Sequence, residues 1–293
     1  MKKVLLATTA LTLSAGVAYA DVSLSGNARM GLQYTEATGN TTLEKRMTVT
    51  MSGSKETDSG MSLGASMNLR AVEGAAAVAS GAVVSLSTTG GVTVAVGNID
   101  GALENMPGMY SASVGLTGLG WAGVLGNTDA NGDWGWDAYS SSGNGTEGVE
   151  VVYSTDAITA HLSYSDADLG SAADRTAAYV SYTMGDWTVA AGMQESATAG
   201  EDKTIVTVGG KVGTFNVGVG YADNEGEAKI ALNGSATFGA TTVSVFVANE
   251  ESAAENAMGL GVSHDLGGAS LVAGVSQTEV GVNRADMGVS FKF

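Results

Sequence analysis

Three arginines and two acids carry the chemistry that the sequence can support. Arg29, Arg46 and Arg70 each fall on the polar side of a stretch in which apolar and polar residues alternate. In the first stretch Val22, Leu24, Ala28, Met30, Leu32 and Tyr34 oppose Ser23, Ser25, Asn27, Arg29, Gln33 and Thr35. In the second, Leu43, Met47, Val49 and Met51 oppose Thr42, Glu44, Arg46, Thr48 and Thr50, and in the third Met61, Leu63, Ala65, Met67 and Leu69 oppose Ser62, Ser66, Asn68 and Arg70. A period of two is the signature of a strand. Neighbouring strands lie under about 5 Å apart, so the three guanidinium groups can form one basic patch. Asp100 and Glu104 open a long segment in which the alternation stops. A basic wall facing acids makes a transverse field that acts on any charged group between them. Glu44 offers the arginines a plainer role as its ion-pair partners.

Other constellations are weaker. Asp129, Asn131, Asp133 and Asp137 place oxygen ligands at alternate positions, a spacing used for hard cations such as calcium. Trp134 and Ser140 stand where an EF-hand loop needs glycine and glutamate, so an ordinary polar loop is the competing account. The pattern G-x-G-x-x-G occurs at 118–123 and 143–148, but neither opens an amphipathic helix after a buried strand, as a dinucleotide site requires. With two histidines, His161 and His264, and no cysteine, a zinc site or a nucleophilic triad has little support. No motif favours a hydrolytic carboxylate pair, and no catalysis is expected.

Composition limits the scaffold that holds these residues. The chain starts Met-Lys-Lys, runs uncharged from Val4 to Tyr19 and reaches Ala18-Tyr19-Ala20, the pattern of a secretory signal peptide over residues 1–20. A net charge of −17 argues against nucleic acid as a partner. A hydrophobic content of 44% is too high for disorder. Mean hydropathy is +0.14, yet no later segment supplies the 18 or so apolar residues of a spanning helix. An exported chain that is apolar on average, rich in glycine (43) and nearly without proline (one) is either a soluble β-protein or a transmembrane barrel.

Strand length and turn spacing favour the barrel. The first stretch is about 13 residues long, whereas soluble strands average about 5–6. Short turns are expected at Gly53–Gly60, Thr88–Gly91, Ser154–Ala157, Gly185-Asp186, Gly209–Thr214, Gly239-Ala240 and His264–Gly268. They alternate with longer connections at Thr35–Thr41, Ala71–Ala79, Asn98–Glu147, Asp166–Arg175, Glu195–Lys203, Ala222–Glu227, Asn249–Asn256 and Gln277–Arg284. This predicts an all-β, 16-stranded antiparallel transmembrane barrel over 21–293, with short turns on one side and loops on the other. Tyr34, Tyr153, Tyr164, Tyr182, Trp187, Phe215, Tyr221, Phe238 and Phe293 fall near strand ends, where amphipathic rings meet the lipid–water boundary. Ala76–Ser87 and Thr204–Val212 read poorly as strands, and Phe246 lies on a polar face. The 98–147 segment holds the only proline and three of four tryptophans. A loop of that length in a compact fold is usually functional or disordered.

Several stretches resemble one family. VSLSGNARMG from Val22, MSG from Met51, TDSG from Thr57 with LGAS from Leu63, FGATTV from Phe238, DLGGAS from Asp265 and the ending ADMGVSFKF from Ala285 are similar to the trimeric general-diffusion porins of Rhodobacter-type alphaproteobacteria. The resemblance covers most of 21–293 except about 108–148. It implies a homotrimer in a Gram-negative outer membrane, in contact with lipid and lipopolysaccharide, that passes ions and small hydrophilic solutes passively. It also implies that the third long loop folds into the lumen, that Arg29 stands on a constriction wall, and that the terminal Phe293 signals membrane insertion. Some relatives hold calcium in their loops. A substrate-selective porin, a plugged structural or adhesive barrel and, more remotely, a barrel enzyme are the alternatives.

Overall fold

The computed structural model describes residues 21–110, 113–120, 135–137, 146–169 and 173–293. The expected signal peptide over 1–20 and the candidate ligands Asp129, Asn131 and Asp133 lie outside them. The strands are β1 (Asp21–Thr35), β2 (Asn40–Glu56), β3 (Ser62–Val72), β4 (Val78–Ala79), β5 (Val83–Ser87), β6 (Val92–Ile99), β7 (Thr146–Ser154), β8 (Ile158–Ser165) and β9 (Arg175–Met184). Then follow β10 (Trp187–Ser196), β11 (Lys203–Val212), β12 (Phe215–Asn224), β13 (Glu227–Phe238), β14 (Thr241–Glu250), β15 (Ala257–Asp265), β16 (Ser270–Gln277) and β17 (Asn283–Lys292). β4 and β5 both pair with β3 and are two pieces of one stave, so seventeen segments make sixteen staves.

Each strand pairs antiparallel with its sequence neighbour, and β1 pairs with β17 from Asn27↔Lys292 to Thr35↔Arg284. Gly26 and Phe293 complete the seam with reciprocal backbone bonds of 2.7 and 3.0 Å. The sheet is therefore closed and has no free edge. Its sidedness is the reverse of a soluble protein. Met30 is 62% exposed, Leu232 53% and Val275 53%, all pointing outward. The inward neighbours are small and buried, such as Ala177, Ala190, Ala222, Ala231 and Ala248, or polar. An apolar exterior around a small and polar interior is a barrel built for lipid.

Three details differ from the sequence reading. The connection expected at Ala222–Glu227 is a two-residue turn, Glu225-Gly226, with positive φ at both (56° and 92°) and Asp223 accepting the Gly226 N–H at 2.7 Å. That mirror-image turn matches strand twist, and a two-residue hairpin follows. The turn expected at Gly209–Thr214 shrinks to Gly213-Thr214, because Gly209–Val212 continue β11. The weak Ala76–Ser87 stretch is interrupted at residues 80–82.

The segment after β6 turns inward and crosses the barrel. The Ala102 N–H donates to Ser163 Oγ on β8 at 2.9 Å. Leu103, Met106 and Met109 are buried with Ala177, Tyr179, Ala190, Ile205 and Ala222 of the wall. Thr207 Oγ1 on β11 donates to the Pro107 carbonyl at 2.6 Å. Val114 and Leu119 then bridge each other, and the turn between them rests on β14–β17 and β1. Phe246, the residue that broke the alternation, is the inward ring that packs with Val114 in this cluster. Each large apolar side chain buried here contributes about 1.5–3 kcal/mol.

The far end of the crossing is clamped by one carboxylate. Asp286 on β17 is buried and accepts the N–H of Leu116 (2.8 Å), the N–H of Thr117 (2.7 Å) and Thr117 Oγ1 (2.6 Å). The wall beneath is paved with glycine. A side chain at Gly274 would sit 2.5 Å from the Gly115 Cα. Replacing Asp286 by Ala leaves two backbone donors and a hydroxyl without their acceptor, at about 1–3 kcal/mol each. Asp286→Ala is therefore expected to leave the barrel folded and to make the turn at 113–120 cleavable by limited proteolysis. A protease-resistant variant would show that the seat does not hold the loop.

Candidate functional site

The first three strands bring the arginines together as the alternation implies. Arg29 and Arg46 are direct cross-strand partners, and Arg70 is opposite Thr48, one inward position from Arg46. All three point inward and are partly buried. Arg29 is also committed to holding structure. Its Nε lies 2.6 Å from Glu44 Oε1, and its Nη1 donates to the Leu116 carbonyl at 3.2 Å. It therefore ties the wall to the loop turn while its charge is compensated by Glu44.

The two loop acids part company. Glu104 faces its own loop, where Oε2 accepts from the Tyr110 hydroxyl and from Trp136 Nε1 at 3.2 Å. Burial, then the Glu104 charge, pushes the Tyr110 phenol well above its ordinary range. Asp100 faces a cavity of about 300 Å³ together with Thr50, Asn68, Ser80, Asn98 and Glu150, with Met67 and Val83 also in its wall. Burial first, then the charges of Glu150 and Glu104, raise its carboxyl to about 6, against the opposing pull of His161. Glu150 in turn meets His161 Nε2 at 3.2 Å. The acids on this side thus stand beside the wall of β2–β3 that carries Arg46 and Arg70.

Asp137 lies elsewhere, buried against β9. Its Oδ1 accepts from Arg175 Nη1 at 3.0 Å, and Arg175 also makes two bonds of 2.8 Å to Glu201. Gln194 Nε2 adds bonds to the carbonyls of Gly135 (2.8 Å) and Glu201 (2.7 Å). This network pins residues 135–137 to the wall. Burial pushes the Asp137 carboxyl up, against the hydrogen bond from Arg175. Burial also acts to raise Glu201, but the bonds from Arg175 and Ser196 outweigh it and hold that carboxyl low. Among the described residues no group of three acidic, histidine or cysteine side chains is placed to hold a metal ion.

Sequence reasoning did not single out Asn98, Glu150, Tyr179 or Asp286. Glu150 between Val149 and Val151, and Asp286 between Ala285 and Met287, do carry a signal, since each is the polar member of an alternating run. What each one touches depends on the path of the loop.

Comparison with known proteins agrees with this architecture. A family model described as Gram-negative porin matches residues 7–283. The chain is 29% identical to a porin of Fuscovulum blasticum and 30% identical to a porin of Rhodobacter capsulatus, in each case over 93% of this chain and all of the relative. A solved triple mutant of the Rhodopseudomonas blastica porin superposes with a TM-score of 0.81 at 26% identity, covering 93% of this chain and all of that one. A closed antiparallel barrel with an apolar exterior, matched over nearly its whole length, leads to one conclusion: the chain belongs to the Gram-negative porin family.

Proposed function

We propose that this outer-membrane porin passes ions and small hydrophilic solutes passively along the β2–β6 side of its lumen. The observation that carries the reading is the division of the interior. Leu103, Met106, Met109, Val114 and Leu119 pack dry against the wall from β9 to β15. The β2–β6 side instead presents Arg46, Arg70, Thr50, Asn68 and Ser80, joined by Asp100 of the loop and Glu150 of β7. Polar side chains of both signs can replace part of a solute's hydration there, and the field between them sorts solutes by charge. Catalysis and energy coupling have no part in it.

The barrel also has a face without aromatic rings. Outward rings sit on β1, β7–β10, β12, β13 and at the β17 end; β11 and β14–β16 carry none, and the widest run of strands without one is β2–β6. That sector instead exposes Leu43 (68%), Leu63 (43%) and Leu69 (40%). Rings anchor a barrel at the lipid boundary. We assign the ring-free sector to subunit contacts in a homotrimer and the ringed sector to lipid and lipopolysaccharide. Phe293, packed on Gly26 at the closing seam, fits the proposed role in membrane insertion. The calcium reading keeps only Asp137 among the described residues. The Arg175 guanidinium already holds that carboxylate, so we do not carry it further.

Three measurements test this reading. Arg46→Glu with Arg70→Glu is expected to shift the reversal potential in a KCl gradient toward cation preference, and an unchanged potential would remove the arginines from the path. Asp100 is charged above its pKa of about 6 and neutral below it, so cation preference should fall as pH drops from 7.5 to 5. Asp100→Asn should remove that component of the pH dependence. The chain has no cysteine, so single labelling sites can be introduced. A fluorophore on Leu69→Cys is expected to be shielded from a lipid-dissolved quencher and one on Leu232→Cys to be quenched, and equal quenching would move the interface elsewhere.

A further inference from the structure

The cavity shared by Asp100 and Glu150 is built, not left over. It opens where the β4–β5 stave is interrupted at residues 80–82, opposite Gly97. Gly97 has φ +104°, and a side chain there would collide with the Ala82 carbonyl. Alternation fails at this point, and Asn98 and Ile99 are both buried in succession. Asn98 is 4% exposed and lies over Gly81, which has no side chain to fill the space. Among the described residues its Oδ1 has no hydrogen-bond partner. A buried amide oxygen without a donor is costly, and its natural complement is a ligand N–H or O–H.

Three residues of different origin line this cavity: Asn98 from β6, Asp100 from the loop and Glu150 from β7. A primary ammonium group presents three N–H donors on one point charge. A bare metal ion fits less well. Among the described residues no three metal-binding side chains converge, and about 300 Å³ has room for roughly ten waters. Hydroxyls and an amide from Thr50, Ser66, Ser80 and Asn68 share the remaining lining with Met67, Gly81 and Val83. Thr50 Oγ1 donates to Asn68 Oδ1 at 2.6 Å, and Ser80 Oγ accepts the Asn68 N–H at 2.9 Å. Such a surface suits hydroxyl groups on the rest of the ligand.

We propose that this cavity is a subsite in the pore wall for hydroxylated solutes bearing a primary ammonium group, the class of amino sugars and amino polyols. The proposal rests on the porin reading and adds a preferred cargo to it. The Asp100 and Glu150 charges hold the ammonium, and Asn98 tells it from a cation that lacks N–H donors.

The test uses the native protein in a planar bilayer at neutral pH in KCl, with glucamine, sorbitol or magnesium chloride added. Glucamine is expected to interrupt or lower the current at a concentration about tenfold below that needed for sorbitol, the scale of one charge-assisted hydrogen-bonding interaction. It should also act below magnesium. Asn98→Ala should move glucamine most of the way toward sorbitol, but the native comparison decides even if that variant fails to fold. Equal action of glucamine and sorbitol on a persisting KCl current would overturn the subsite and leave the porin reading standing. Block by magnesium at lower concentration than glucamine would overturn the ammonium assignment. Absence of any KCl current would overturn the porin reading and the subsite with it.

Discussion

Backbone pairing in a medium without water is the constraint on which this structure depends. Inside hydrocarbon an unpaired N–H or C=O costs several kcal/mol, so a sheet can cross only if it has no edge. The β1–β17 seam meets that requirement, down to the reciprocal Gly26–Phe293 bonds. Closure also explains how the chain holds together without cysteine and with an interior that is small and polar over much of its height. The sheet is stabilised by its own ladder and by lipid, so the interior is free to be shaped for transport.

The second requirement is a loop that must be buried without closing the barrel. Its apolar residues 103–119 need a dry seat, and the wall supplies one from alanine and glycine on β9–β17. Its polar backbone needs partners, which Ser163, Thr207 and above all Asp286 provide. The two needs place the loop on one side of the lumen. The β2–β3 side keeps Arg46 and Arg70 only partly buried, whereas long polar side chains of β9–β14, among them Arg175, Gln194 and Lys229, are buried. The asymmetry of the interior therefore follows from where the loop packs.

Much of this was legible in the sequence because strand alternation is a local property. Val22 to Tyr34 reads as a strand without knowledge of its neighbours, and Arg29, Arg46 and Arg70 fall on its inner side or on that of its partners for the same reason. The long interruption was visible at Asn98, as was the oddity of Phe246. What escaped was non-local. Glu104 and Asp100 are four residues apart, yet one turns to Tyr110 and Trp136 and the other to β7, a difference set by the loop's folding. Arg29 falls on the inward face, but its bond to the Leu116 carbonyl depends on a loop turn 87 residues away. Asp286 reads as one polar residue among many until the loop lands on it. The turn at Glu225-Gly226 hid because glutamate rarely adopts positive φ, so the sequence lacked the usual Asn-Gly or Asp-Gly sign.

The central claim is that the barrel encloses a continuous water-filled path. The most direct measurement is single-channel current of the purified native protein as a function of KCl concentration. The account predicts large, steady steps whose conductance rises in proportion to that of the bathing solution. A correctly folded barrel that carries no current, or whose conductance saturates at low salt, would contradict it.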